Sequence, residues 1–469
     1  MHERRSIGYG VVALPQGGEW TIVENRIDKR PLAYPFLVSI AHDLTGFRAE
    51  NSFWVNKILA VLFLVLVFLI GKSLTGSEVV GVAVLLAIGS LPLLYDLASA
   101  GGFDLLSLVL IALLILLSLD SVRLRGDNRL HQSVLMSAAV LLWQTRYETV
   151  VSIFIIAPFL IWLWRSNNWR ISFISILIPL FCIPIAWLHR LILANPQIFT
   201  RDGSSHEAPF AISHLLPNGR AALEYLFSIS MTFSNSALLS GLGILSLLAI
   251  FVQVVSRRFD YSAKNTIMLV SIVGLLGLTL IFLSYFWGEW TSYETARFSL
   301  PLNLAFALSM CLAGFLLHFK KREWKFLSFV FAGFIASSTL PKNITHAMEN
   351  SYVGLVWSEV RLEAFARLPD STVYLDYATT PAMLQRRRVV DLSKWADYES
   401  ILIPIVEDRA FPVVVFQEEV YDRNSEIWRP KDSHSLPERV TLEPIFERID
   451  RPGYSRIMVS KITSWVPSV

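Results

Sequence analysis

Ile27-Asp28-Lys29-Arg30-Pro31-Leu32-Ala33-Tyr34-Pro35 stands between a polar amino-terminal run and the first long apolar block, which opens at Phe53. Two prolines around an aromatic, directly behind a Lys-Arg pair, predict a stiff extended turn. Each Pro fixes its own φ and pushes its predecessor out of the helical region. At the edge of a bilayer such a turn holds a cation at the membrane surface. The first 20 residues contain Arg4, Arg5 and Glu19 without a continuous apolar core, so they form neither a signal peptide nor a span.

Downstream of that stretch the chain is built of apolar blocks separated by short charged connections. Its 469 residues are 54% hydrophobic and only 17% charged, a balance rare in soluble proteins of this size. A helix needs about 20 mostly apolar residues to cross the bilayer, and ten candidate segments are readable: 53–71, 79–95, 103–119, 132–143, 150–164, 171–193, 237–255, 266–286, 302–319 and 326–340. The expected fold class is a polytopic α-helical membrane protein of about ten spans with a small carboxy-terminal α/β domain. A net charge of +3 with no basic stripe interleaved with aromatics excludes nucleic acid as a partner. Cys182 and Cys311 both fall inside predicted spans and carry neither a disulfide framework nor metal-ligand spacing.

Orientation follows from where Lys and Arg collect. Lys72, then Arg123, Arg125 and Arg129, then Arg165 and Arg170, then Arg257, Arg258 and Lys264, and finally Lys320, Lys321, Arg322 and Lys325 occupy alternate connections, which are expected to be cytoplasmic. The expected division is an extracytoplasmic loop segment over 1–52, a transmembrane helical domain over 53–340 and an extracytoplasmic α/β domain over 341–469. Nothing in 1–52 would carry the chain across, so a preceding span is expected upstream, lost through a late start codon, a shortened chain or genuine deletion. In the last domain, 352–368 predicts an amphipathic helix and 371–378, 401–406, 412–417, 439–446 and 454–462 predict strands, with a turn at Asp450-Arg451-Pro452-Gly453.

No P-loop, GxGxxG, HExxH or GxSxG pattern stands in a convincing context. The topology instead gathers ionisable residues at one face: Asp28, Lys29 and Arg30; Asp96 and Asp104; Arg146 and Glu148; Arg201, Asp202, His206 and Glu207; Glu289, Glu294 and Arg297. Such groups at a membrane edge are costly and face a cavity or one another. Arg297, in Tyr293-Glu294-Thr295-Ala296-Arg297-Phe298-Ser299-Leu300-Pro301, leads directly into a span; its guanidinium suits a lipid phosphate, or snorkels to the interface. Arg146 with Glu148 also reads as a local ion pair closing a turn, and Asp104 as a helix amino-terminal acid.

In order and spacing, these residues resemble the GT-C glycosyltransferases, and within them the bacterial branch related to protein O-mannosyltransferases and lipid A aminoarabinose transferases. Arg30-Pro31-Leu32-Ala33-Tyr34-Pro35-Phe36-Leu37, followed by Leu44-Thr45-Gly46-Phe47, is similar to that family's Arg/Lys-Pro-Pro-Leu-Tyr-Pro stretch, and Arg297-Phe298-Ser299-Leu300-Pro301 is similar to its Arg-Tyr-x-x-Pro entry. Leu32 stands where the family has its second Pro, and the family's early-loop acid precedes the start of this chain.

The resemblance implies transfer of a sugar from a polyprenyl-phosphate carrier to a lipid, glycan or protein acceptor on the outer face, in a bacterial inner membrane. It implies Arg297, Arg30 and Arg146 as donor-phosphate ligands and Asp96, His206, Glu207 and Glu294 as acceptor or sugar contacts. Asp28 and Asp104 are the remaining carboxylates near that face and are assigned positioning before catalysis. No cofactor is implied and no metal ligand is assigned, with a divalent ion left open. Two other readings stand beside it: a homologue that binds the lipid carrier without catalysing transfer, and a transporter or flippase. The second would show duplicated halves, and none is visible.

Overall fold

The computed structural model describes residues 8–16, 19–27, 31–46, 48, 50–123, 129–149, 172–175, 177, 210–229, 236–286, 288–291, 293–316, 321–348, 353–377, 381–382, 385, 387–409, 411–422, 427–430, 436–451 and 455–466. The chain divides into two compact units. One is Lys29–Gly46 with Glu50–Glu349; the other joins Met1–Asp28, Phe47–Ala49 and Asn350–Val469.

The first unit is helical. It runs α1 (Ala33–Thr45), α2 (Asn51–Thr75), α3 (Glu78–Gly89), α4 (Pro92–Ser99), α5 (Asp104–Arg123) and α6 (Arg129–Trp143). It continues with α7 (Leu215–Phe227), α8 (Ala237–Val255), α9 (Ala263–Leu283), α10 (Leu300–Leu316) and α11 (Lys321–Met348). Among the described residues five helices are long and apolar enough to cross a bilayer: Asn51–Thr75, Asp104–Val122, Ala237–Val255, Ala263–Leu283 and Arg297–Leu316. A sixth span is available if α3 and α4, bent by 72° at Ser90-Leu91, count as one. Pro92 opens α4 where its missing N–H costs nothing.

The expected segment 132–143 is realised in a 15-residue helix, which at 1.5 Å per residue falls short of the hydrocarbon thickness. Segment 326–340 lies within α11, which continues through Pro341 to Met348. Segment 150–164 and nearly all of 171–193 lie outside the described residues.

Two local expectations are corrected. The turn read at residues 31–35 is helical from Ala33 onward, because Pro35 falls in the first turn of α1, where no backbone donor is required. Segment 401–406 is not a strand but the heart of α13 (Glu399–Glu407), which buries Leu402, Ile403, Ile405 and Val406. A short continuous apolar run does not separate strand from buried helix by its periodicity.

The second unit holds a hairpin of β1 (Gly8–Gln16) and β2 (Glu19–Ile27) in a segment expected to be loop. After α12 (Val353–Arg367) come β3 (Val373–Asp376), β4 (Arg388–Asp391), α13, β5 (Val413–Asp422), β6 (Ile427–Pro430), β7 (Val440–Arg451) and β8 (Ser455–Trp465). The sheet order is β4-β3-β5-β8-β7, with β6 pairing to β5. Because β4 and β5 both run parallel to β3, their connection must cross over, and α13 lies on that crossover. One sheet face packs Tyr374, Val389, Val414 and Phe416 on Val360, Ala364 and Phe365 of α12. The other packs Leu375, Val390 and Val415 on Leu402 and Val406 of α13.

Candidate functional site

Three helix ends of the first unit bring Asp104, Arg146 and Arg297 together. Asp104 is the first residue of α5, where a carboxylate complements the positive end of the helix dipole. Arg146 follows the end of α6, in a turn held by hydroxyls. Thr149 Oγ1 donates to the carbonyls of Leu142 and Arg146 at 2.8 and 2.6 Å, and Thr145 Oγ1 donates to that of Leu142 at 2.7 Å. Ser107 of α5 donates to Thr145 Oγ1 at 2.9 Å and ties the two helix ends together. Arg297 opens a single 3-10 turn, Arg297–Ser299, that feeds α10, whose second residue is Pro301.

Arg146 donates from Nη1 to Asp104 Oδ1, and both side chains are buried, 8% and 4% exposed. Its Nε stands 3.5 Å from Glu148 Oε2. Three rings enclose the guanidinium: Phe103, Phe282 and Phe298, with centres 5.2, 4.7 and 5.0 Å from its carbon. Such cation–π contacts strengthen when water is excluded. Arg297 is held more loosely. Its Nη1 is 3.5 Å from Asp104 Oδ2, its side chain is 28% exposed, and its buried Nε has no hydrogen-bond partner. Between these groups lies a narrow cleft, lined among others by Asp104, Arg146, Thr149, Phe282, Arg297 and Pro301.

Asp96, on α4, is buried and does not line this cleft. Its negative charge acts instead on the buried phenol of Tyr225. Burial is the main force raising that phenol's pKa; the hydroxyl of Ser299, 3.4 Å from the phenol oxygen, opposes it, and Asp96 adds to it. Glu289 is exposed, and Glu294 belongs to the helical turn Tyr293–Ala296. Asp28, Lys29, Arg30, Arg201, Asp202, His206 and Glu207 lie outside the described residues. In the second unit Arg387 pairs with Asp370 and Arg388 donates to the Ser371 carbonyl, so both serve local structure. Among the described residues no three His, Cys, Asp or Glu side chains converge on a metal position.

The aromatic box around Arg146 and the two threonines under it were not singled out from the sequence. Phe103 and Phe298 each adjoin a predicted charged residue, Asp104 and Arg297, and that adjacency was the available signal. Phe282, stacked on Phe298 at 4.9 Å, left none.

The family model described as dolichyl-phosphate-mannose-protein mannosyltransferase matches residues 29–187. ArnT from Cupriavidus metallidurans bound to undecaprenyl phosphate is similar to 94% of this chain over 90% of its own length, at a TM-score of 0.56 and 10% identity. The same protein in the apo state gives 0.42 and 12%, over 94% of this chain and 89% of that one. The Archaeoglobus fulgidus oligosaccharyltransferase, tethered with an acceptor peptide containing the NVT sequon, gives 0.46 and 11%, over 93% and 68%. No curated protein matches by sequence.

Proposed function

We propose that this chain, by fold a member of the GT-C superfamily of integral membrane glycosyltransferases, moves a sugar from a polyprenyl-phosphate carrier to an acceptor on the outer face of a bacterial inner membrane. The acceptor hydroxyl attacks the anomeric carbon, the bond from that carbon to the phosphate oxygen breaks, and a carboxylate takes the hydroxyl proton. The phosphate leaves with more negative charge than it carried in the donor. A cation fixed at that oxygen therefore contributes most as the bond breaks.

One observation carries the reading: the half-open Arg297 guanidinium at the head of α10, with donors to spare, beside an otherwise enclosed cluster. The fold likeness to a protein crystallised with undecaprenyl phosphate supports the same ligand here. Both oxygens of Asp104 face guanidinium groups, which fits a positioning role better than proton transfer.

The test is binding of radiolabelled undecaprenyl phosphate to the full chain, followed by transfer from a panel of undecaprenyl-phosphate sugars in membranes, each with Arg297→Ala alongside. Saturable binding and transfer that are both lost in the variant support the proposal. Binding without transfer from any donor in the panel favours the carrier-binding homologue, and binding indifferent to Arg297 removes the proposed site.

A further inference from the structure

The two arginines of the cluster are unequal. Arg146 is enclosed by three rings, bonded to Asp104 and backed by Glu148. Arg297 touches one ring, Phe298, at 5.5 Å and stands off Asp104 by 3.5 Å, longer than a good hydrogen bond. Counting Asp104 and Glu148 against Arg146 and Arg297, the cluster is electrically balanced. An incoming phosphate must therefore take a cation from a carboxylate, and the pair that is easiest to open is Asp104 with Arg297.

We propose that the carrier phosphate replaces Asp104 as the partner of Arg297, while Arg146 never touches it. Arg146 is a positioning residue: by occupying Asp104 Oδ1 it keeps that carboxylate from closing on Arg297. This rests on the phosphate-binding role proposed above for Arg297 and changes the role the sequence suggested for Arg146.

The experiment measures undecaprenyl phosphate binding to the full chain in phosphatidylcholine nanodiscs, with thermal midpoints recorded for every variant. Arg146→Met leaves Asp104 with Arg297 alone and is expected to weaken binding about tenfold, whereas Asp104→Asn, which removes the competing charge, tightens it about tenfold. Replacing both partners of a buried pair is tolerated far better than replacing one. The double variant Asp104→Asn/Arg146→Met is expected to bind about as tightly as Asp104→Asn alone, since without the Asp104 charge Arg146 has nothing to hold off, whereas independent effects would return it to about the affinity of the unaltered chain.

A double variant that falls back to the affinity of the unaltered chain, or below it, places Arg146 on the phosphate and overturns the inference. Asp104→Asn that binds no more tightly overturns the exchange, and this comparison stands even if Arg146→Met does not fold. Failure of the unaltered chain to bind, or binding unaffected by Arg297→Ala, removes the proposed function as well. The two failures are thereby told apart.

Discussion

Asn56 Nδ2 donates to the carbonyls of Leu97 and Ala100, at 3.2 and 2.6 Å, from a side chain only 1% exposed on α2. These carbonyls sit at the end of α4, where the helix ladder stops and the Ala100 N–H reaches back to the Leu97 carbonyl at 3.4 Å. The next residues, Gly101-Gly102-Phe103, deliver the chain to Asp104, so one amide fixes the point from which the acid of the cluster starts. Asn56→Ala takes a donor from both acceptors, leaving the Leu97 carbonyl with the long bond from the Ala100 N–H, and is expected to cost about 1–3 kcal/mol. Asn56→Asp, which sets a carboxylate against the same carbonyls, costs more. Thermal unfolding in detergent checks both, and an unchanged midpoint in the pair would mean that other donors reach these carbonyls.

In the second unit the telling contact is a fork. Arg361 donates from Nε and Nη2 to the two oxygens of Asp376 at 2.6 and 2.8 Å, with Asp376 fully buried at the end of β3. Trp357 lies over the guanidinium at 4.8 Å. Removing one charge strands the other in a dry site, so Arg361→Leu is expected to destabilise this unit by about 3–5 kcal/mol. Arg361→Leu/Asp376→Leu recovers most of the loss. Denaturant titration of the full chain, read by limited proteolysis of the carboxy-terminal region, tells the two apart.

Helices α8 and α10 approach closely because Gly243 has no side chain. A Cβ there would stand 2.3 Å from Cγ of Phe306, closer than any rotamer adjustment of a buried ring accommodates. Gly243→Ala is expected to lower stability by about 1–3 kcal/mol through overpacking. If the single variant melts like the unaltered chain, the helices move apart without cost and the close approach is not structural.

The long helices were legible because hydropathy acts on every residue of a span at once: Phe53 to Gly71 and Ala237 to Val255 were bounded within a few residues of α2 and α8. Strands β5 and β8 were legible from short apolar runs rich in β-branched residues, Val413 to Phe416 and Ile457 to Val459. The hairpin of β1 and β2 was missed because two glycines open β1 and, in β2, the alternation of Trp20 and Ile22 gives way to Glu24 and Arg26. Segment 401–406 was misread because Ile, Leu and Val suit a buried helix as well as a strand.

At the cluster, the ionisable side chains announced themselves by their cost at a membrane edge, and Asp104, Arg146 and Arg297 do meet. Half of the pairing was hidden: local sequence offered Glu148, which does stand 3.5 Å from Arg146, while Asp104, which accepts from Nη1 of the same guanidinium, lies 42 residues away along the chain. Only packing brings that second carboxylate to the buried arginine.

Arg297→Lys examines the proposed phosphate contact by changing its shape while keeping its charge. A lysine presents a compact ammonium that cannot fork onto two oxygens, and it hydrates more strongly than a guanidinium. The carrier phosphodiester bears a single negative charge in the donor and gains more as the sugar departs. The lost donor therefore matters more in the transition state than in the bound ground state. On the proposed function, Arg297→Lys is expected to lower kcat about tenfold and to change KM for the undecaprenyl-phosphate sugar by less than about threefold. Arg297→Ala, with no charge at all, lowers kcat further. Steady-state transfer rates across donor concentrations separate the parameters. A rise in KM at constant kcat would mean that Arg297 holds the donor and its transition state equally, which makes it an anchor for the carrier and leaves stabilisation of the leaving phosphate to another group.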